Sequence, residues 1–173
     1  IVLAFFVYIA ASGEAQQTTL KAAFEGVTVT DIMTPRGDLH TVSEDTSVAD
    51  LMSRMFEERH TGYPVLDGDE LVGMVTLEDA RSVREVERDA YRVDDVMATN
   101  LVAADPNADA LTALQTMQEH GVGRLPVVDA DGELVGLISR SDLMTAFNII
   151  QTGGTPGIIS GRQQGAGDEP RIL

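Results

Sequence analysis

"YPVLDGDELVGMVTLED" (63–79) returns later in the chain as "LPVVDADGELVGLISRSD" (125–142). Each copy reads as an apolar strand, a tight turn, a second apolar strand and the start of a helix. Asp67-Gly68 and Asp131-Gly132 supply the turn residues, and the second turn carries one extra residue. Both copies close on a hydroxyl followed three positions later by an acid. These are Thr76 with Asp79, and Ser139 with Asp142.

The repeat extends outward on both sides. "VTVTDIMT" (27–34) matches "YRVDDVMA" (91–98), with Asp31 opposite Asp95 and Met33 opposite Met97. Between the entries and the hairpins lie "SVADLMSRMFEERH" (47–60) and "NADALTALQTMQEH" (107–120). Val48, Leu51, Met52 and Met55 share one helix face, and Leu111, Leu114 and Met117 form the corresponding stripe. Ser47 and Asn107 are the expected N-caps, and Gly121 stands where a helix-ending glycine belongs. Short strands are expected near His40–Val42 and Leu101–Ala103, and second helices over Leu77–Arg84 and Arg140–Gln151.

The fold class is therefore α/β. Two βαββα units form a pseudo-twofold pair, preceded by an N-terminal helix. Neither unit buries both faces of its sheet alone, so each is expected to pack on its twin, with clefts where the sheets meet. The first repeat spans 27–84, a charged connector 85–92, and the second repeat 93–151. Residues 152–173, rich in Gly, Pro and Gln without periodicity, are expected to be disordered.

The chain has 173 residues, no cysteine, and 28 acidic against 12 basic side chains, a formal net charge of −16. Such a surface repels nucleic acid and anionic membrane. It suits a halophilic, haloarchaeal source, because at about 1 M salt the screening length falls to roughly 3 Å. The opening "IVLAFFVYIAASG" (1–13) is apolar all round and lacks a basic leader. It reads as the end of a transmembrane helix that starts upstream, with 14–26 as a juxtamembrane helix or linker; the other reading is a helix packed on a soluble protein. Leu20, Ala23 and Phe24 would place that helix against the first repeat.

The repeated corner has two readings. Ser/Thr-x-x-acid at a helix start is a capping box, in which both side chains satisfy backbone N–H groups. The same atoms can serve a ligand. A carboxylate accepts from the vicinal hydroxyls of a ribose, and a helix start favours phosphate. The corners differ: Glu78 stands beside Asp79, whereas Arg140 follows Ser139, with Arg124 ahead of the strand. Phosphate is expected at the second corner, through Arg140 and Arg124. The acidic first corner would suit the cationic sulfonium of S-adenosylmethionine.

On the "TDIMT" and "DDVMA" entries, the "YPVLD" and "LPVVD" strands and the two corners, residues 27–150 resemble a tandem pair of CBS domains, a Bateman module. That resemblance implies a regulatory module binding AMP, ADP, ATP or S-adenosylmethionine. Asp79 and Asp142 would hold the ribose, with Thr76 and Ser139 near the phosphate. It also implies a homodimer. The apolar opening followed by "ASGEAQQTTLKAAFEG" (11–26) and the pair is similar to the C-terminal part of CBS-bearing site-2 (M50-type) membrane zinc proteases. The implied arrangement is a regulatory end, attached to the membrane through the N-terminal helix, with the pair facing the cytoplasm. A stand-alone soluble regulator and a dimerisation module with vestigial sites are the alternatives.

No catalytic residue is expected in this chain. No Ser-His-Asp set or phosphate loop can be placed. "PVLDG" (64–68) resembles the zinc-binding Leu-Asp-Gly of site-2 proteases, but its repeat partner makes it a strand turn. His40, His60 and His120 show no metal-ligand spacing, so no metal site is expected.

Overall fold

Glycine marks both hairpin turns, Gly68 at φ +60° and Gly132 at φ +83°. In the computed structural model, which describes residues 21–153, these turns join β3 (Gly62–Asp67) to β4 (Glu70–Thr76) and β5 (Arg124–Val128) to β6 (Leu134–Ser139). The other elements are α1 (Val29–Ile32), β1 (Thr34–Pro35), β2 (Val42–Ser43), α2 (Val48–Glu58), α3 (Leu77–Ser82), α4 (Ala110–Glu119) and α5 (Arg140–Gln151). The α/β class and the two βαββα repeats expected from the sequence are both present.

The repeats share one pairing pattern. β2 runs parallel to β3 with Val42 opposite Val65, and Ala104 makes the equivalent parallel bridge to Val127. The second lead-in strand expected at Leu101–Ala103 is thus reduced to that single bridge. Both hairpins shift register at matching points, between Val65 and Leu66 and between Val127 and Val128.

Each repeat's entry segment joins the other repeat's sheet. β1 pairs antiparallel with β6, Thr34 opposite Leu137, while Ala98 bridges Met74 of β4. The Val29 N–H donates to the Ala108 carbonyl, and the Val93 N–H to that of Thr46. Connector residues cap α2, whose Val48 and Ala49 N–H groups reach the Tyr91 and Arg88 carbonyls. The exchange reassigns the cores. Val29 is buried with Leu125, Val127 and Ile138 of the second repeat, and Val93 with Leu51, Val65 and Val75 of the first. The repeats are interlocked by traded segments, each around its own core.

Two expectations need correction. Phe24 packs on the second repeat, not the first, with its ring 6.1 Å from that of Phe147; burying it contributes about 1.5–3 kcal/mol. The N-cap of α4 is Asp109, with no side-chain cap bond, and not Asn107, whose N–H instead turns back to Asp105 Oδ1. Asp109 is the true counterpart of Ser47, which does accept from the Asp50 N–H. Gly121, left-handed at φ +66°, is consequently matched by Arg59 at φ +59°, not by a glycine. Among the described residues no helix is long and apolar enough to cross a membrane. The expected transmembrane segment (1–13) lies outside the described residues, as do Leu20 and nearly all of the expected disordered tail.

Candidate functional site

β4 and β6 deliver the two corners to equivalent places. Each strand places a buried residue, Val75 or Ile138, just before its last position, the extended hydroxyl residue that serves the helix as N-cap. At the first corner, the Thr76 N–H and Oγ1–H both donate to Asp79 Oδ2, at 2.8 and 2.6 Å. The Asp79 N–H returns to Thr76 Oγ1 at 3.4 Å. At the second, the Ser139 N–H and Oγ–H donate to Asp142 Oδ2 at the same 2.8 and 2.6 Å, and the Asp142 N–H donates to Ser139 Oγ.

The capping box is therefore real, and it limits what the corner can offer. Each hydroxyl has spent its one proton on the carboxylate. Thr76 and Ser139 can accept a further hydrogen bond, but to donate to a phosphate they must first release the acid. Oδ2 of each aspartate is engaged. Oδ1 makes no hydrogen bond among the described residues, which leaves an acceptor for a sugar hydroxyl. Asp31 and Asp95 form the same carboxylate-to-backbone bond, to the N–H groups of Thr28 and Arg92. The motif alone is thus a cap, and position makes it a candidate site.

Position is given by two clefts between the repeats. The first, about 670 Å³, holds Thr76, Glu78, Asp79 and Arg81 on one wall and Leu101, Val102, Val122 and Arg124 on the other. The second, about 300 Å³, holds Ser139 and Asp142 facing Leu39, His40, Arg59 and His60, with Arg124 again in its lining. Both volumes fall in the range of small-molecule pockets, about 300–1,000 Å³. In each, a corner from one repeat faces the lead-in and helix-end segments of the other.

Arg124 lies between the clefts. Its guanidinium donates to the Gly62 carbonyl and to Thr61 Oγ1, each at 2.8 Å. Gly62 is the counterpart of Arg124, and a Cβ there would come within 2.6 Å of the guanidinium, so one repeat's glycine makes room for the other's arginine. Burial holds the Arg124 pKa below its ordinary value, against the opposing pull of Asp142.

Arg140 goes elsewhere. It is exposed, its guanidinium donates to the Val122 carbonyl, and it lines neither cleft. Positive charge in the second cleft comes instead from Arg59 and Arg124, with His40 and His60 beside them. Arg59 was missed because its left-handed backbone carries no sequence marker. The structure also gathers His40, Glu58 and His60, one potential ligand atom from each lying within 4.8 Å of the others. Spacing along the chain gave no hint of that cluster.

The CBS domain model matches residues 29–85 and 93–149. A crystal structure of CBSX2 in complex with AMP is similar at TM-score 0.64 and 34% identity, covering 72% of this chain and 98% of that one. Inosine-5'-monophosphate dehydrogenase of Thermoplasma acidophilum is 33% identical over 108 residues, 62% of this chain and 21% of the dehydrogenase. A zinc metalloprotease of Methanocaldococcus jannaschii is 27% identical over 151 residues, 87% of this chain and 41% of the protease. The chain thus spans about a fifth of the first enzyme's length and about two-fifths of the second's. With both repeats matched by the family model and the paired fold shared with CBSX2, the chain belongs to the CBS domain family.

Proposed function

We propose that the chain is a regulatory module that senses an adenosyl ligand in the clefts between its repeats. The observation that carries this reading is the unengaged Oδ1 of Asp79 and of Asp142, each on a corner lining a cleft that the opposite repeat closes. The AMP complex of CBSX2, a relative sharing the paired fold, supports the ligand class. An adenine ring would lie among Leu101, Val102 and Val122 in the first cleft, or beside Leu39 in the second. The ribose hydroxyls would donate to Oδ1. Phosphates of AMP, ADP or ATP suit the second cleft, through Arg59 and Arg124. The first cleft, with Glu78 and Asp79, suits a less anionic ligand such as S-adenosylmethionine.

The parent protein is, on this reading, a membrane-embedded zinc metalloprotease whose cytoplasmic end is this module, working as a homodimer. Similarity to a metalloprotease over 87% of the chain supports the attachment, because it runs beyond the two matched repeats. The apolar opening 1–13 supports the membrane link. The acidic surface supports a salt-adapted source.

Calorimetry with AMP on the native chain in molar KCl tests the sensing role. Saturable heat is expected, lost in the Asp79→Asn/Asp142→Asn double variant. Absence of heat from AMP, ATP and S-adenosylmethionine alike would leave the dimerisation-module reading in its place. Proteolysis by the parent protein that stays constant as AMP is varied would remove the regulatory link alone.

A further inference from the structure

We propose that His40, Glu58 and His60 form a binding site for a transition-metal dication of the Zn²⁺ class at the mouth of the second cleft. Three separate local features converge there. Glu58 is the last residue of α2. Arg59 then adopts the left-handed conformation, turning the chain so that His60 lies back beside the helix end. His40 arrives on the segment leading into β2, its ring 4.9 Å from that of His60 and its Nδ1 2.8 Å from Glu58 Oε2.

The donor set selects the metal class. Two imidazoles and one carboxylate form the three-ligand set of open zinc sites, with the fourth position left to water or another ligand. Imidazole favours Zn²⁺, Ni²⁺, Co²⁺ and Cu²⁺, whereas Mg²⁺ and Ca²⁺ take oxygen ligands. A tetrahedral site with bonds of about 2.0–2.1 Å places donor atoms roughly 3.4 Å apart. The three candidate atoms already lie within 4.8 Å of one another. Both imidazoles are exposed, so closing that gap moves only side-chain ends.

Glu58 is braced for the role. Arg54 Nε donates to Oε1 at 2.7 Å and the Tyr63 hydroxyl to Oε2 at 2.9 Å, the kind of outer contact that orients a metal-binding carboxylate. Arg54 and Arg59 oppose a dication, while Glu58 and the cleft-lining Asp38 and Asp142 supply the offsetting charge. His40 and His60 both line the second cleft, so the open coordination position faces it.

The test uses the full chain, stripped with EDTA, and metal alone. Zinc titration calorimetry should show one ion per chain, and Co²⁺ should give the intense visible absorption of a tetrahedral site. His40→Ala and His60→Ala should each weaken zinc at least tenfold, and the double variant should abolish it. His120→Ala, the remaining histidine, should leave binding unchanged. Circular dichroism and melting temperature of these variants should match the native chain. No zinc binding, unchanged binding in the double variant, or equal binding of Mg²⁺ would each overturn the proposal. No nucleotide is used, so failure here is distinct from failure of the adenosyl reading.

Discussion

Replacing a corner aspartate by asparagine should separate capping from ligand binding. Asp79→Asn and Asp142→Asn keep the side chain's size and leave an amide oxygen to accept from the backbone N–H. They remove the charge that the helix start and the hydroxyl proton both favour, at a cost of about 1 kcal/mol each. Asp95→Asn should cost a similar amount, because Asp95 accepts from the Arg92 N–H at the same 2.8 Å. Asp95 lines neither cleft. Ligand binding should therefore distinguish them. A hydrogen bond to a charged acceptor contributes about 1.5–3 kcal/mol, so losing the charge at the cleft in question weakens AMP roughly 10- to 150-fold. With AMP at 100 times its dissociation constant, the native chain gains about 2.7 kcal/mol. A 30-fold loss at the same concentration leaves about 0.9 kcal/mol. At roughly 2–4 °C per kcal/mol for a chain of this size, thermal shift resolves the difference. Asp95→Asn should keep the full AMP shift from its lowered baseline. Equal loss of the AMP shift in Asp95→Asn and in both corner variants would refute the reasoning, as would a native shift retained in both corner variants.

The exchanged segments and the charge layout give three further expectations. Gly136→Ala would put a Cβ 2.8 Å from the Thr34 carbonyl of β1, backbone that cannot yield as a side-chain end can; urea melts should show a loss of about 1–3 kcal/mol, and a change under 0.5 kcal/mol would contradict the tight pairing of β1 with β6. Arg124→Ala should reduce AMP affinity in calorimetry, and Gly62→Ala should do the same by displacing the guanidinium it would meet at 2.6 Å; a Gly62→Ala chain binding like the native one would count against Arg124 as a ligand contact. Partial burial, then Asp67, Asp45 and Asp94, hold the Glu44 carboxyl above its ordinary value. Its ionised form is thus disfavoured by folding, and the stability it contributes is lost as pH rises through its folded pKa. Glu44→Gln should raise the melting temperature at neutral pH and low salt and flatten its rise with KCl; an unchanged salt response would exclude this cluster as a contributor.

The hairpins and corners were legible because their chemistry is local. A turn needs a residue that tolerates positive φ, and a helix start needs an acceptor, so Gly68, Gly132, Thr76 and Ser139 carry their roles in their identities. The exchange of entry segments was not legible. "VTVTDIMT" presents the same buried Val29 and half-buried Met33 whichever sheet it joins, and the pairing of Thr34 with Leu137 decides. The central helices correspond two residues further along than the stretches 47–60 and 107–120 suggest, so Asp109, not Asn107, stands opposite Ser47. The same offset makes Arg59 the equivalent of Gly121 and puts a cation in the second cleft. Arg140 lies away from its expected place for a related reason. Proximity to the corner along the chain placed it at the ligand, whereas the first helical turn points its guanidinium to the Val122 carbonyl.

On the proposed reading, the two clefts would not act independently. Thr61, Gly123 and Arg124 line both. Arg124 holds the Gly62 carbonyl and Thr61 Oγ1, atoms of the opposite repeat, so a ligand phosphate that draws the guanidinium into one cleft must break those bonds and lower the positive charge of the other. The cost of leaving the Gly62 carbonyl without its partner, about 1–3 kcal/mol where water cannot replace it, is then felt across the junction. Because coupling between sites is reciprocal, two ligands bound as proposed would act on each other by the same amount. The exchanged strands would carry the same dependence mechanically: Thr34 lines the second cleft and belongs to β1, whose sheet partner among the described residues is β6, the strand that ends at the Ser139 corner. On that reading, duplication would make one paired device from two unequal corners, with Arg124 at the junction as their shared element.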